Sequence, residues 1–215
     1  MVCTTAERRT TVCQVDAGEA WRALLRGEWV VTDHPFGPQF HTILCRRTPR
    51  GAPCPLLSNT AMALARRRAR GALIKALAAD FDRSAGGVSA QITSVMRALK
   101  LRGEAHLVAL LGGPDAPGAA DLPVGLEAAL VDGGVEAGLT LVYPRPVWRI
   151  PTTLSSAERD IVLRLIDGAS YDAVARSRGT SPRTIASQVA SVFRKLKVQS
   201  QIALFNVLLA REPGA

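Results

Sequence analysis

Residues 154–208 constrain the fold more than any other stretch of this 215-residue chain, because they punctuate four short helices with explicit start and stop signals. Ser155 can cap the first helix, and Glu158 three positions on completes a capping box. Ile161, Val162, Leu165 and Ile166 give that helix an apolar stripe, and Gly168 stops it. Ser170 caps a second helix that turns Val174 and Ala175 inward, and Gly179 ends it. Ser181 followed by Pro182 is a strong start for a third helix. Its inward face is Ile185, Val189, Val192 and Leu196. Residues 199–209 supply a fourth, with Ile202, Phe205, Leu208 and Leu209 as inward positions. A short helix, a Gly-containing turn and a longer capped helix make a helix-turn-helix.

On these residues the chain resembles the LuxR-type (GerE-like) helix-turn-helix domain of bacterial transcription regulators. Leu154, Glu158, Val162, Leu163, Leu165, Gly168, Ser170, Ala175, Ser181, Thr184, Ile185, Val192, Lys195, Leu196 and Val198 fall on the family frame without a gap. The resemblance covers about a quarter of the chain. It implies a DNA-binding regulator whose 181–196 helix enters the major groove. Arg183, Thr184, Ser187, Gln188, Ser191, Arg194 and Lys195 lie on the outer face of that helix. Thr184, Ser187, Gln188 and Ser191 are the base-facing candidates, and Arg183, Arg194 and Lys195 the phosphate-holding ones. Two departures matter. Ala186 and Gln188 stand where the family usually carries Lys and His, and Gln201 where it usually carries Arg.

Residues 57–111 laid on 154–208 at an offset of 97, without a gap, are identical at 16 of 55 positions. The matches include Leu57, Ser58, Gly71, Ala72, Ser84, Gln91, Ser94, Val95, Arg97, Leu99 and Lys100, so helix stop, cap and apolar face all recur. A repeat of this kind predicts a second, diverged helix-turn-helix. Its third helix opens with Ala85, Gly86 and Gly87 where the later one has Pro182, Arg183 and Thr184. Two glycines remove the side chains that would reach base edges and cost about 1 kcal/mol each in helix stability. The cluster Arg66, Arg67, Arg68 and Arg70 offers instead a contact to phosphate or to an acidic partner, or an ordinary solvated face. Leu73, Leu77, Val88, Ile92, Val95 and Leu99 are the expected core of this half.

The N-terminal region predicts a helix around Ala20, Trp21, Leu24 and Leu25, then two antiparallel strands joined at Gly37–Pro38, with Trp21 and Trp29 as core anchors. TPRGAPCP (48–55) and GGPDAPGAA (112–120) are turn-rich joins. LPVGLEAALVDGG after the second join predicts a helix and GLTLVYPRP a strand. The expected architecture is α+β, mainly α, in two repeated halves, each a small helix/β-strand unit followed by a four-helix LuxR-type helix-turn-helix. In chain order this gives 1–55 (helix plus β-hairpin), 56–112 (degenerate helix-turn-helix), 113–150 (linker with helix and strand) and 151–212 (helix-turn-helix).

Charge points the same way. The net charge is +9, and the basic excess sits in the helical segments: nine basic against three acidic residues in 57–111, eight against four in 154–209, but two against five in 112–153. That is the footprint of a binder of nucleic acid. Cys3, Cys13, Cys45 and Cys54 lie in the first quarter near His34 and His41. Their spacing matches no standard metal site, so reduced structural thiols and no metal are expected. No secretory h-region and no run of 18 apolar residues is visible, which predicts a cytoplasmic protein with no membrane partner. There is no Walker loop, GxGxxG, HExxH or nucleophile elbow, and the three histidines stand in separate settings. The expectation is no enzyme and no cofactor. Double-stranded DNA is the expected partner, with homodimerisation, or use of the two copies as a pseudo-dimer, implied by the resemblance. The alternative is a protein-interaction module of tandem helix-turn-helix folds that has lost base readout and contacts transcription machinery. Gly86–Gly87 and the missing Lys and His favour that alternative.

Overall fold

Alternating apolar and polar residues over 40–47 and 137–144 build the centre of a sheet. In the computed structural model, which describes residues 11–49, 57–113, 122–132 and 137–209, these are β3 (Phe40–Arg47) and β5 (Ala137–Pro144), paired antiparallel with Ile43 opposite Leu141. β2 (Trp29–Asp33) joins the far side of β3, and β4 (Glu127–Asp132) the far side of β5. β1 (Thr11–Val15) pairs with β4 and completes a five-stranded sheet of order β1-β4-β5-β3-β2. One face carries Trp29, Val31, Ile43, Cys45, Ala128, Leu139, Leu141 and Tyr143, all buried. Against it lies α1 (Ala17–Leu25), capped by Asp16, with Ala20, Trp21 and Leu24 buried. The expected N-terminal helix and hairpin, anchored by Trp21 and Trp29, are thus present.

Eight more helices stand among the described residues. They are α2 (Asn59–Ala69), α3 (Ile74–Asp80), α4 (Ala85–Ala98), α5 (Glu104–Leu111), α6 (Ser156–Ile166), α7 (Tyr171–Arg178), α8 (Pro182–Leu196) and α9 (Gln201–Leu208). Contacts divide the chain into two units interleaved in sequence. The first draws on 11–49, 57–59, 98–100, 122–132 and 137–145, and the second on 60–97, 101–113 and 146–209. The first is the sheet with α1; the second is helical. None of the helices among the described residues is long and apolar enough to cross a membrane.

Four expectations need correction. Residues 127–132 form a strand, not a helix, despite the helix formers Glu127, Ala128, Ala129 and Leu130. So short a segment makes a marginal helix, whereas here strands on both sides satisfy its backbone. Thr11–Val15 adds a strand not anticipated from TVCQV. Leu73 is 60% exposed rather than core, because it occupies the extended N-cap position of α3, outside the first turn. Two of the three histidines share a setting after all: His34 Nε2 and His41 Nδ1 lie 2.9 and 3.3 Å from the Tyr143 hydroxyl, while His106 is apart from them on α5. His34 Nδ1 donates to the Leu99 carbonyl at 2.8 Å. Burial raises the Tyr143 pKa and pushes the Cys45 thiol up to about 12. Cys13 is exposed, while Cys3 and Cys54 lie outside the described residues, as does most of both expected joins. Among the described residues no group of three or more His, Cys, Asp or Glu is placed to hold a metal ion.

Within the helical unit two turns approach closely. Gly168 has φ +86°, and a Cβ there would stand 2.6 Å from Arg102 Cβ. Gly179, the stop of α7, has φ +61° but open space around it. Gly179→Ala should therefore cost only the left-handed backbone penalty of about 1–2 kcal/mol, and Gly168→Ala that penalty plus at least ~1 kcal/mol of overpacking. Urea denaturation of the two variants beside the parent checks this order.

Candidate nucleic-acid interface

The turn between α7 and α8 is set by local chemistry. Ser170 caps α7 by accepting from Ala173 N at 3.2 Å, and Gly179 ends it in the left-handed region. Ser181 caps α8, its Oγ accepting from Thr184 N at 3.1 Å, with Pro182 at the first helical position. Ile185, Val189 and Val192 are buried, so the helix is anchored along one stripe; Leu196 at its end is half-buried.

A second anchor is electrostatic. Glu158, in the first turn of α6, is only 7% exposed. It accepts from Ser155 N at 2.8 Å, from Ser191 Oγ at 3.0 Å and from Lys195 Nζ at 2.6 Å. The Lys195 ammonium, then the Ser155 amide, hold its pKa down at about 2. Asp160, two residues on and so about half a turn round α6, accepts from Arg164 Nε at 3.1 Å and from Arg178 Nη1 at 2.6 Å, and these guanidiniums lower its pKa. Arg164 also reaches Ser177 Oγ at 3.2 Å. One carboxylate thus ties α6 to α8, and the other ties α6 to α7.

These anchors sort the sequence-derived site residues. Arg183, Thr184, Ser187 and Arg194 are exposed, the first three on the N-terminal half of α8. Ser191 is half-buried and engaged by Glu158, and Lys195, exposed in part, is engaged by it too. Gln188 is half-buried, its carbonyl oxygen shielded and without a partner. The arginine run on α2 is not gathered on one free surface. Arg67 bonds Asp80 and stacks over the Phe81 ring, Arg68 donates to Ala72 O and to Glu104 Oε1 at 3.1 Å each, and Arg70 donates to Gly113 O at 3.0 Å. Arg66 is half-buried.

Sequence reasoning placed Glu158 in a capping box, which the structure contains, but missed its bonds to Ser191 and Lys195, over 30 residues away. It also missed Arg176, exposed on the outer side of α7. A basic residue in the first helix of the motif was the available signal for that position.

Residues 152–208 match the family model described as "Bacterial regulatory proteins, luxR family" (GerE). No curated protein and no solved structure matches the chain. The C-terminal part of the helical unit, α6 to α9, is therefore a LuxR-type helix-turn-helix domain, and that domain family is DNA-binding and regulatory.

A carboxylate with a depressed folded-state pKa stabilises the fold above its unfolded value, and the contribution disappears as pH falls through the folded one. For Glu158 the window runs from 4.5 down to about 2. Glu158→Gln should flatten the dependence of unfolding free energy on pH in that window, and Lys195→Ala should shift its lower edge upward. Thermal unfolding across pH 2–6 reads both effects.

Proposed function

We propose that the protein is a sequence-specific DNA-binding transcriptional regulator that places α8 in the major groove. The observation that carries this reading is the pairing of the 152–208 family match with an outward row of Arg183, Thr184 and Ser187 on the N-terminal half of α8. The N-terminal residues of a recognition helix are the ones that meet base edges. Arg183, expected from the sequence to hold phosphate, is reassigned by its place in the first turn of α8 to read bases with Thr184 and Ser187, while Arg194 and Arg176 hold phosphates. Ser191 and Lys195 position the helix through Glu158. Gln188 joins the reading set only when its carboxamide leaves the shielded rotamer.

The reading extends to residues 57–111 as a second, diverged copy of the same domain. In support, the bounds of α2 and α5 shifted by 97 are those of α6 and α9. Residues with positive φ recur at the same spacing, as Gly71 and Gly168, Asp82 and Gly179, and Lys100 and Lys197. β3 and β5 are likewise 97 apart, which favours a duplicated unit that includes a strand pair. On this reading α4 corresponds to α8, with Gly86 and Gly87 where Arg183 and Thr184 stand.

Fluorescence anisotropy on a random duplex and on sequences enriched by selection, at two salt concentrations, tests the proposal. Arg183→Ala should cost roughly 1–3 kcal/mol on the selected sequence and relax preference there. Arg194→Ala should weaken all sequences alike and reduce the salt slope by about 0.9. Absence of salt-sensitive binding by the parent protein would overturn the proposal and turn the search towards a protein partner.

A further inference from the structure

The helical unit joins its two runs of helices through their last members. α5 packs on α9 and also touches α6. In the opposite sense Asn206 Nδ2 of α9 donates to Ala69 O of α2 at 2.8 Å. The turns ahead of α5 and after α6 meet at backbone distance, for a Cβ on Gly103 would lie 3.2 Å from Gly168 Cα. If α2–α5 is a copy of α6–α9, as proposed above, then α5 on α6 and α9 on α2 are corresponding contacts but not identical ones: Gly71, the counterpart of Gly168, has open space where Gly168 meets Arg102, and Ala109 stands where α9 has Asn206. Halves that meet through corresponding surfaces are related by an approximate two-fold axis. The apolar side of α9, formed by Ile202, Leu204, Phe205 and Leu208, is fully buried and so already covered in cis. On this reading the same approximate dyad carries α8 onto α4.

The outer face of α4 differs from that of α8 in a specific way. The base-reaching side chains are absent at Gly86 and Gly87, yet Arg97 is retained at the position of Arg194. Arg83 is added just ahead of the Ser84 cap, where the second run has Thr180. Arg83 and Arg97 are exposed and stand in no ion pair among the described residues. Guanidiniums without base-reaching neighbours supply affinity without sequence information.

We infer that one chain spans two half-sites of DNA alone: α8 reads bases in one half, and the α4 face grips the backbone of the other through Arg83 and Arg97. This rests on the regulator reading above. The protein is then an asymmetric reader, with a sequence requirement on one side and a non-specific foothold on the other.

The test uses the full chain with a selected duplex, measuring complex mass by sedimentation velocity, the extent of protection by footprinting, and affinity against salt. The expected complex holds one chain per duplex. Its consensus is confined to one half, and protection runs about one helical turn, ~10 bp, past the consensus on one side. Arg83→Ala with Arg97→Ala should keep the consensus, weaken every sequence by a similar factor and lower the salt slope by about 1.8, at ~0.9 per phosphate released. Gly86→Arg, at a position where a Cβ meets nothing within 4 Å, should extend the consensus into the silent half. Two chains on a palindrome overturn the inference and leave the regulator reading standing. So does a double variant that binds like the parent while Arg183→Ala loses specificity. Failure of the parent to bind any duplex overturns both.

Discussion

A single carboxylate orients the helix on which the proposed readout depends. Glu158 sits at the third position of α6, shielded from solvent, where an ionised group survives only with donors around it. The Ser155 amide, the Ser191 hydroxyl and the Lys195 ammonium supply them. Ser191 and Lys195 are four residues apart and so share one face of α8. Once both point at α6, the rotation of α8 is fixed. Ile185, Val189 and Val192 must face inward, and Arg183, Thr184 and Ser187 must face out. The apolar stripe alone would tolerate some rolling of a helix with small residues such as Ala186 and Ala190 beside it. The charged hub removes that freedom, and base readout demands its removal, since an error of about 1 Å is large on the scale of a hydrogen bond.

If 57–111 is a second copy, as proposed, the trio at the corresponding positions is Ala61, Ser94 and Ala98. Both charged members are missing together, and the remaining hydroxyl donates to Ala90 O at 3.0 Å within its own helix. On that reading the joint absence is expected, because losing one partner would leave a shielded charge unpaired, whereas losing both as apolar residues is close to neutral. The loss coincides with the glycines at 86 and 87. If α4 no longer reads bases, nothing selects for a fixed rotation, and a phosphate-holding arginine on a long stem needs none. The two departures are then one change seen at two places.

How much was legible depended on the range of the interaction that decides each element. Ser155 with Glu158, Ser170, Gly179, and Ser181 with Pro182 act within four residues, and each is found in the role its sequence position indicates. The alternation in β3 and β5 is likewise local. Strand β4 was illegible because its residues favour a helix and only partners at 11–15 and 137–144 make it a strand. Leu73 was misplaced because apolar periodicity cannot tell a first-turn residue from the cap before it. His34, His41 and Tyr143 converge through a loop and two strands separated by about a hundred residues, a meeting that no spacing rule encodes. At the interface the outward residues could be read from helical period. Those drawn inward by Glu158 could not, since a polar residue on an outer face looks the same whether it awaits a ligand or serves a buried partner.

The same distinction bears on charge. A net charge of +9 draws the chain towards polyanions, but much of the arginine is internal mortar. Arg67, Arg68 and Arg70 hold α2 to its neighbours, and Arg164 and Arg178 hold α6 to α7. Because such cations are paired or bonded to carbonyls, they release no counterions when DNA arrives and add little to its salt dependence. Of the cations left exposed on the two runs, which also include Arg159, Lys197, Lys75 and Lys100, the proposed phosphate and base contacts are Arg176, Arg183 and Arg194 on one and Arg83 and Arg97 on the other. They lie around the third helices and the turns leading into them. It is this residue of unspent charge, rather than the total, that distinguishes a surface for backbone phosphates from a basic but self-satisfied protein.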